Sequence, residues 1–255
     1  MRRMVADLGN SRLKWGRVET EGRVVETGSL PAEDEMTWAK AWDEGSLGKA
    51  GGLAWMISSV NPVVAERLAK FLKSRGVTRA AWYRSAAEVG VRHALERPET
   101  AGADRALAVV AAVARMPAGK PGLVVLCGTA VTVERIAADG LWQGGAIAAG
   151  LTLTAKALNL LTAQLPLVVP RAAPRSWGNA TGRALEAGIY WGVVGAVREL
   201  LARQSEGMAE KPWVVWSGGD AVTLAPAVGL EGSVIVPDLV LHGLAAISSD
   251  AMALP

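Results

Sequence analysis

The sequence predicts a duplicated α/β fold with mixed sheets. One order of elements, three strands followed by alternating helices and strands, occurs twice along the chain. Each copy has a short polar turn between two apolar strands, at residues 9–11 and 128–129. Proline and glycine cluster at residues 116–122, which marks a domain boundary. We therefore expect one domain over 1–116 and a second over 117–255, with the last helix free to pack back on the first domain.

The composition fits a folded chain with a large core. The chain has 255 residues, of which 51% are apolar, enough for one large or two moderate domains. The net charge is +3 without a lysine or arginine block, so no nucleic-acid partner is expected. No apolar run reaches about 18 residues, so no membrane helix is expected. The single cysteine, Cys127, suits a reducing cytoplasm and excludes an internal disulfide.

The first copy begins with an apolar run that ends at a carboxylate, followed by a turn and an alternating partner strand over residues 4–16. A turn at Glu21-Gly22 leads to a third strand, and a glycine-rich loop spans 45–52. The alanine-rich segment from Ala103 predicts a helix because it holds few breakers. The remaining expected elements are strands at 24–30, 53–58 and 80–83 and helices at 32–43, 62–74 and 103–115.

The second copy restarts after the boundary. Asp139-Gly140 is a strong hairpin signal between the second and third strands. Three prolines make residues 166–177 a loop, and Asp238 is a candidate cap for the last helix. The expected strands are 123–126, 130–136, 141–147, 213–216 and 233–236, and the expected helices are 152–162, 181–204 and 239–247.

The first turn is a candidate phosphate and Mg²⁺ site. Asp7 is followed by Gly9, Asn10 and Ser11, so backbone N–H groups, an amide and a hydroxyl lie beside one acid. The N–H groups suit phosphate oxygens, and the carboxylate suits the metal, directly or through water. The alternative is an ordinary turn, in which these residue types are common.

Three further segments carry candidate chemistry. Thr129 and Thr132 after Gly128 offer hydroxyls to phosphate, although threonine is also a good strand former. Gly218 and Gly219 suit a planar ring against the backbone, or are only a turn. The glycines of segment 144–150 indicate close backbone approach to a ligand or to another protein segment.

Asp104 lies at the start of the alanine-rich helix, after Gly102 and before Arg105. It fits an ordinary N-terminal cap, and it also fits a general base with Arg105 gripping an anionic substrate. The sequence has no G-x-x-x-x-G-K-[ST] loop, no Cys/His metal cluster and no Ser-His-Asp arrangement.

In order along the chain, these segments resemble the type III pantothenate kinases of the acetate and sugar kinase/Hsp70/actin superfamily, a family that includes the Bvg accessory factor proteins. The resemblance implies duplicated ribonuclease-H-like (actin-like ATPase) domains with mixed five-stranded sheets and an interdomain cleft. The matching motifs are Asp7-Leu8-Gly9-Asn10-Ser11, Ser59-Val60-Asn61-Pro62, Gly102-Ala103-Asp104-Arg105, Gly128-Thr129-Ala130-Val131-Thr132, Gly144-Gly145-Ala146-Ile147, Gly178-Asn179-Ala180-Thr181, Ser217-Gly218-Gly219-Asp220 and Pro237-Asp238-Leu239.

The resemblance implies ATP-dependent phosphorylation of pantothenate to 4′-phosphopantothenate, the first step of coenzyme A synthesis. Asp104 is then the general base, and Asp7 orients Mg²⁺. The implied pantothenate positions are Gly102, Asp104, Arg105, Leu95 and, from the other subunit of a homodimer, Thr181. The implied ATP positions are Asp7, Gly9, Asn10, Ser11, Lys14, Gly128, Thr129, Thr132, Gly218 and Gly219.

Two positions depart from the family pattern. Leu126 stands where the family has an acid that helps order a monovalent cation, K⁺ or NH₄⁺, and leucine coordinates neither ion. Glu134 replaces the last acid of that motif, one methylene longer, and Leu95 replaces a tyrosine. These changes keep a non-enzymatic, Bvg accessory factor-like binding protein as the alternative function, ahead of another small-molecule kinase of the superfamily.

The homodimer is also expected from a run of small residues on the long helix after Thr181. Ordinary burial of this face against its own sheet is the equal alternative. The face consists of Ala184, Ala187, Gly188, Trp191 and Gly195.

Overall fold

The computed structural model describes residues 3–19, 22–47 and 53–247. The predicted turn at 21–22 and the predicted loop at 45–52 therefore fall partly outside the described residues. The chain divides into two compact units. The first contains residues 3–91, 96–114 and 238–247, and the second contains 92–95 and 115–237.

The first unit is built on a five-stranded sheet in the order β3-β2-β1-β4-β5. Strands β1, β2 and β3 pair antiparallel, whereas β1, β4 and β5 pair parallel. With elements numbered in chain order, the strands are β1 (Arg3–Leu8), β2 (Arg12–Val18), β3 (Val24–Pro31), β4 (Ala54–Ser59) and β5 (Ala80–Tyr83). The helices are α1 (Glu35–Asp43), α2 (Pro62–Ser74), α3 (Ala103–Val113) and α7 (Leu239–Ala246).

The two faces of this sheet carry different helices. Met4, Ala6 and Leu8 point into a core with α1 and α2, where Trp38 and Leu68 are fully buried. Because side chains alternate along a strand, Asp7 points to the opposite face. That face packs against α3 and α7, which also contact each other closely. The sheet therefore presents Asp7 toward the two helices.

The second unit repeats this connectivity. Its sheet has the order β10-β9-β6-β7-β8, with β6, β7 and β8 antiparallel and β6, β9 and β10 parallel. The strands are β6 (Gly122–Cys127), β7 (Ala130–Ile136), β8 (Trp142–Ala149), β9 (Trp213–Ser217) and β10 (Val234–Ile235). The helices are α4 (Leu151–Leu160), α5 (Thr181–Ser205) and α6 (Ala221–Val228), all of which pack in one core on one sheet face. The predicted duplicated α/β fold is confirmed.

The largest difference from the sequence prediction is α6, which was not expected. It contains Pro226, and proline normally argues against a helix because it has no N–H to donate. The helix is short and ends at Gly229 in the left-handed conformation (φ 70°), so little of its hydrogen bonding is lost. No helix among the described residues is both long and apolar enough to cross a membrane.

Candidate active site

The first turn lies at the end of β1 and β2. Gly9 N–H donates to the Arg12 carbonyl at 3.0 Å and closes the turn, leaving Asn10 and Ser11 exposed at its tip. Asp7 is half-buried, and Lys14 lies directly opposite it in the β1–β2 register. The turn therefore offers the predicted exposed polar groups beside one sheltered carboxylate.

Two further carboxylates act on Asp7. Burial raises the pKa of Asp7 to about 7, and the negative charges of Asp104 and Asp238 raise it as well. Lys14 and the Ser58 hydroxyl act in the opposite direction on this pKa. The N-termini of α3 and α7, which carry Asp104 and Asp238, thus lie on the same side of the sheet as Asp7.

Ser58 lies opposite Asp7 in the register of β1 and β4. Its side chain is fully buried, and its hydroxyl lacks a well-formed hydrogen bond even though Asp7 is near enough for that hydroxyl to lower the carboxyl pKa. The Asp7 carboxylate is the acceptor that this hydroxyl can reach. The first unit therefore places a buried hydroxyl directly beside its central acid.

Asp104 lies inside the first turn of its helix and is not the N-cap residue. The N-cap of α3 is Gly102, and Asp104 is in the first turn, where its Oδ1 accepts a hydrogen bond from the Arg105 N–H at 2.9 Å. A Cβ on Gly102 would lie 2.4 Å from that same oxygen. The Asp104 carboxylate therefore folds back over the start of the helix and lies close to Gly102, on the side that faces Asp7.

The second turn has the same position in the second sheet. Gly128 N–H donates to the Ala130 carbonyl at 3.0 Å, and Gly150 N–H donates to the Thr129 carbonyl at 3.0 Å. Gly218 has φ 98°, and a Cβ on it would lie 2.2 Å from the Cys127 carbonyl oxygen. The predicted ATP residues Gly128, Thr129, Gly218 and Gly219 are therefore grouped at one end of β6 and β9.

The residue of the second turn that matches Asp7 is not an acid, and the carboxylate beside this turn belongs to Asp220, whose N–H donates to the Cys127 carbonyl at 3.1 Å. Leu126 occupies the place that Asp7 has in the first unit, and it lies opposite Thr132 in the β6–β7 register. Thr132 is 8% exposed, and its Oγ1 has no hydrogen-bond partner. Glu134 is fully buried two pairs further along the ladder, where its Oε2 accepts a hydrogen bond from Trp142 Nε1 at 3.0 Å.

The glycine-rich segment of β8 is explained by packing against protein. A Cβ on Gly145 would lie 2.3 Å from the Val133 carbonyl oxygen and 2.5 Å from Glu134 Oε2. A Cβ on Gly150 would lie 2.2 Å from the Gly128 carbonyl oxygen. Of the two alternatives for this segment, these contacts support close approach to other protein segments.

The remaining pantothenate positions lie in the second unit. Leu95 follows a short segment that pairs with the start of β8, where Ala94 N–H donates to the Trp142 carbonyl at 2.8 Å. The Leu95 side chain also lies beside Gly144, because a Cβ built on Gly144 would be 3.6 Å from Leu95 Cδ2. Thr181 is the first residue of α5 and is exposed.

Two residues beside Asp7 were not assigned a function by sequence reasoning. Ser58 ends a buried strand and carried no local signal, whereas Asp238 was expected only as a cap. Asp238 does occupy the N-cap position of α7, but its side chain makes no capping hydrogen bond. The cap expectation is corrected because the Asp238 carboxylate pairs instead with Lys14, at 3.9 Å between Nζ and Oδ1.

Comparison with known proteins assigns the family. The family model described as type III pantothenate kinase matches residues 3–203. The chain belongs to the type III pantothenate kinase family. A type III pantothenate kinase from Janthinobacterium sp. is 33% identical over 94% of this chain and 95% of its own length. One from Alkalilimnicola ehrlichii is 34% identical over 97% and 98%.

Solved structures show the same fold at low sequence identity. A Baf family transcriptional activator from Campylobacter jejuni has a TM-score of 0.59 at 16% identity, covering 94% of both chains. The ADPNP-bound activator of 2-hydroxyisocaproyl-CoA dehydratase from Clostridium difficile has a TM-score of 0.53 at 12% identity, covering 96% of this chain and 92% of its own. These likenesses show that the chain shares its fold with both proteins.

Proposed function

We propose that this protein transfers the γ-phosphoryl group of ATP to the primary hydroxyl of pantothenate and forms 4′-phosphopantothenate, the first step of coenzyme A synthesis. The observation that carries the proposal is the placement of Asp104. Its carboxylate accepts the Arg105 N–H and lies beside Gly102 at the start of α3, on the sheet face that carries Asp7. The family assignment supports the same reaction.

Asp104 is the proposed general base. It accepts the proton of the attacking hydroxyl as the oxygen bonds to phosphorus and the bond to the ADP oxygen breaks. Arg105 and Gly102 bind pantothenate, whose carboxylate suits a guanidinium at a helix N-terminus. Thr181 and the Leu95 position are proposed as further pantothenate contacts.

The residues around Asp7 fit Mg²⁺. Mg²⁺ prefers oxygen ligands, keeps several waters and is commonly held by one or two carboxylates with substrate phosphates. Among the described residues, no group of three or more His, Cys, Asp or Glu side chains forms a metal cage. Asp7 therefore holds the ion together with water and nucleotide, and the bound ion neutralises phosphate charge.

The two turns supply the proposed ATP contacts. Gly9, Asn10, Ser11 and Lys14 approach the transferring phosphate from the first turn. Gly128, Thr129 and Thr132 hold phosphates at the second turn, and the unsatisfied Thr132 hydroxyl supports this role. Gly218 and Gly219 lie near adenosine, with the positive φ of Gly218 bringing backbone close to the end of β6.

We propose that turnover needs neither K⁺ nor NH₄⁺. Leu126 offers no ligand to a monovalent cation. The buried Glu134 carboxylate lies two residue pairs away from Leu126 and already accepts a hydrogen bond from Trp142 Nε1, so this contact does not favour Glu134 as a replacement.

A homodimer and a cytoplasmic location stay predictions. On the small-residue face of α5, Gly188 and Gly195 are exposed, and a Cβ on either would meet nothing within 4 Å. Exposed apolar side chains in the preceding stretch support a second copy as the partner. They are Ile147, Leu153, Leu160, Leu161, Leu167 and Trp177. A monomeric mass in solution would contradict the dimer.

A coupled ATP assay tests the function. We expect ADP release that depends on pantothenate, with equal rates in K⁺ and in tetramethylammonium salts. No turnover with pantothenate would overturn the proposal and favour the Bvg accessory factor-like binding protein. Turnover only with another hydroxyl acceptor would instead favour a different small-molecule kinase.

A further inference from the structure

Asp238 has an unusual backbone for an aspartate. It is the one non-glycine residue with positive φ among the described residues, at φ 53° and ψ 35°. Left-handed backbone is unfavourable for residues with a Cβ, although Asp and Asn tolerate it best. Its carboxylate does not cap α7 and faces Lys14 instead. The local conformation thus directs this acid away from its own helix.

Lys14 lies between two acids. It is directly opposite Asp7 across β1 and β2, and its Nζ is 3.9 Å from Asp238 Oδ1. Cross-strand neighbours have Cβ atoms roughly 5 Å apart, so the flexible lysine can also reach Asp7. Both members of the Lys14–Asp238 pair are 26% exposed, which shelters the pair from full solvent screening.

We infer that Asp238 is a positioning residue that holds the Lys14 ammonium off Asp7 and so keeps the Asp7 carboxylate available to a divalent cation. This inference rests on the proposed function, because it assigns the cation to Asp7. A lysine released from Asp238 would pair with Asp7 and compete with the metal for the same oxygens. Asp238 thereby acts through Lys14, without itself contacting the reacting atoms.

The test is Mn²⁺ binding to the full chain without nucleotide, measured by the loss of the free Mn²⁺ electron paramagnetic resonance signal. We expect Asp238→Asn to weaken Mn²⁺ affinity about tenfold, the size typical of residues that orient metal ligands. In a Lys14→Met background, the same change should cost less than about twofold, because no ammonium competes for Asp7.

Asparagine and glycine both tolerate the left-handed conformation, so Asp238→Gly is the second variant if Asp238→Asn does not fold. Glu66→Gln is the matched control, since it removes one acid from an exposed pair with Lys70 on α2. An equal loss of affinity in both Lys14 backgrounds, or no loss in either, would overturn the inference. Since Mn²⁺ binding needs no turnover, absence of pantothenate kinase activity would refute the proposed function alone.

Discussion

The two hairpin turns occupy the same place in two sheets of the same connectivity, but their surroundings carry different charges. Asp7 at the first turn is flanked by Lys14 and by the acids at the starts of α3 and α7. Leu126 at the second turn lies opposite the buried hydroxyl of Thr132. The duplication therefore repeats the backbone without repeating the chemistry.

This difference indicates that the two units have different roles in the proposed reaction. The first unit contains the proposed general base and the proposed ligand of a divalent cation, and positioning of such charges carries most of phosphoryl transfer. The second unit offers glycines and hydroxyls, which suit phosphate oxygens but supply no acid at Leu126. Four changes test whether the two turns differ in this way.

The largest effect is expected at Asp104. Asp104→Asn should lower kcat of the pantothenate-dependent reaction by about 10²- to 10⁴-fold, because the amide cannot accept the hydroxyl proton. The amide oxygen still accepts the Arg105 N–H, so the thermal unfolding midpoint should stay close to that of the parent protein. Near-normal turnover in a coupled assay would disprove the base assignment.

Asp7→Asn should lower Mg²⁺-dependent turnover, by less than Asp104→Asn does, and stabilise the fold at alkaline pH. Burial and the neighbouring acids raise the Asp7 pKa to about 7, above its unfolded value. The contribution of neutral Asp7 to the free energy of unfolding is therefore fully present below about pH 4, and it is lost as pH rises through about 7. Urea unfolding without divalent cations should show a gain of about 2 kcal/mol at pH 8 and none at pH 4.

Asp139 provides the matched control for this pH experiment. Hydrogen bonds from the Leu141 N–H and from Arg92 lower the Asp139 pKa, so its ionised form favours folding. Asp139→Asn should therefore change stability at pH 8 in the opposite direction. If Asp7→Asn also destabilises the protein at pH 8, the account of the carboxylate cluster is wrong.

Leu126→Asp tests what an acid does at the position of the second turn that matches Asp7. Without K⁺, we expect a loss of about 2 kcal/mol in unfolding free energy, because a half-buried carboxylate lacks a partner. K⁺ should restore part of that stability and activate the variant, while the parent protein responds to neither K⁺ nor NH₄⁺. Leu126→Asn controls for polarity without charge, and a K⁺ requirement in the parent would contradict this account of Leu126.

The smallest effect is expected at Thr132. Thr132→Val removes a buried hydroxyl that has no partner, which should stabilise the protein by about 1 kcal/mol. If the hydroxyl binds phosphate, KM for ATP should rise by about tenfold, whereas Thr132→Ser should keep KM near its original value. A gain in stability with unchanged KM would make Thr132 a strand residue only.

Local patterns predicted most of the fold. The alternation after Gly9, the Asp139-Gly140 hairpin and the alanine-rich α3 lie within short windows, where periodicity and turn chemistry act. Helix α6 was missed because Pro226 is a local signal that tertiary packing against β6 and β9 outweighs. The strand predicted at 233–236 is only the two residues of β10 in the structure, because only these two residues pair with β9.

The candidate site also has features that local sequence patterns predict and features that only tertiary packing decides. The sequence by itself was enough to propose Asp7, Asp104 and the two turns as site residues, because each motif is contiguous and its residue types have defined chemistry. Only the tertiary structure decided that Asp238 and Ser58 lie beside Asp7, through the packing of α7 and the parallel pairing of β4. Long-range contacts of this kind leave no periodicity in the chain, so the electrostatic surroundings of Asp7 and Asp104 are decided by the tertiary structure.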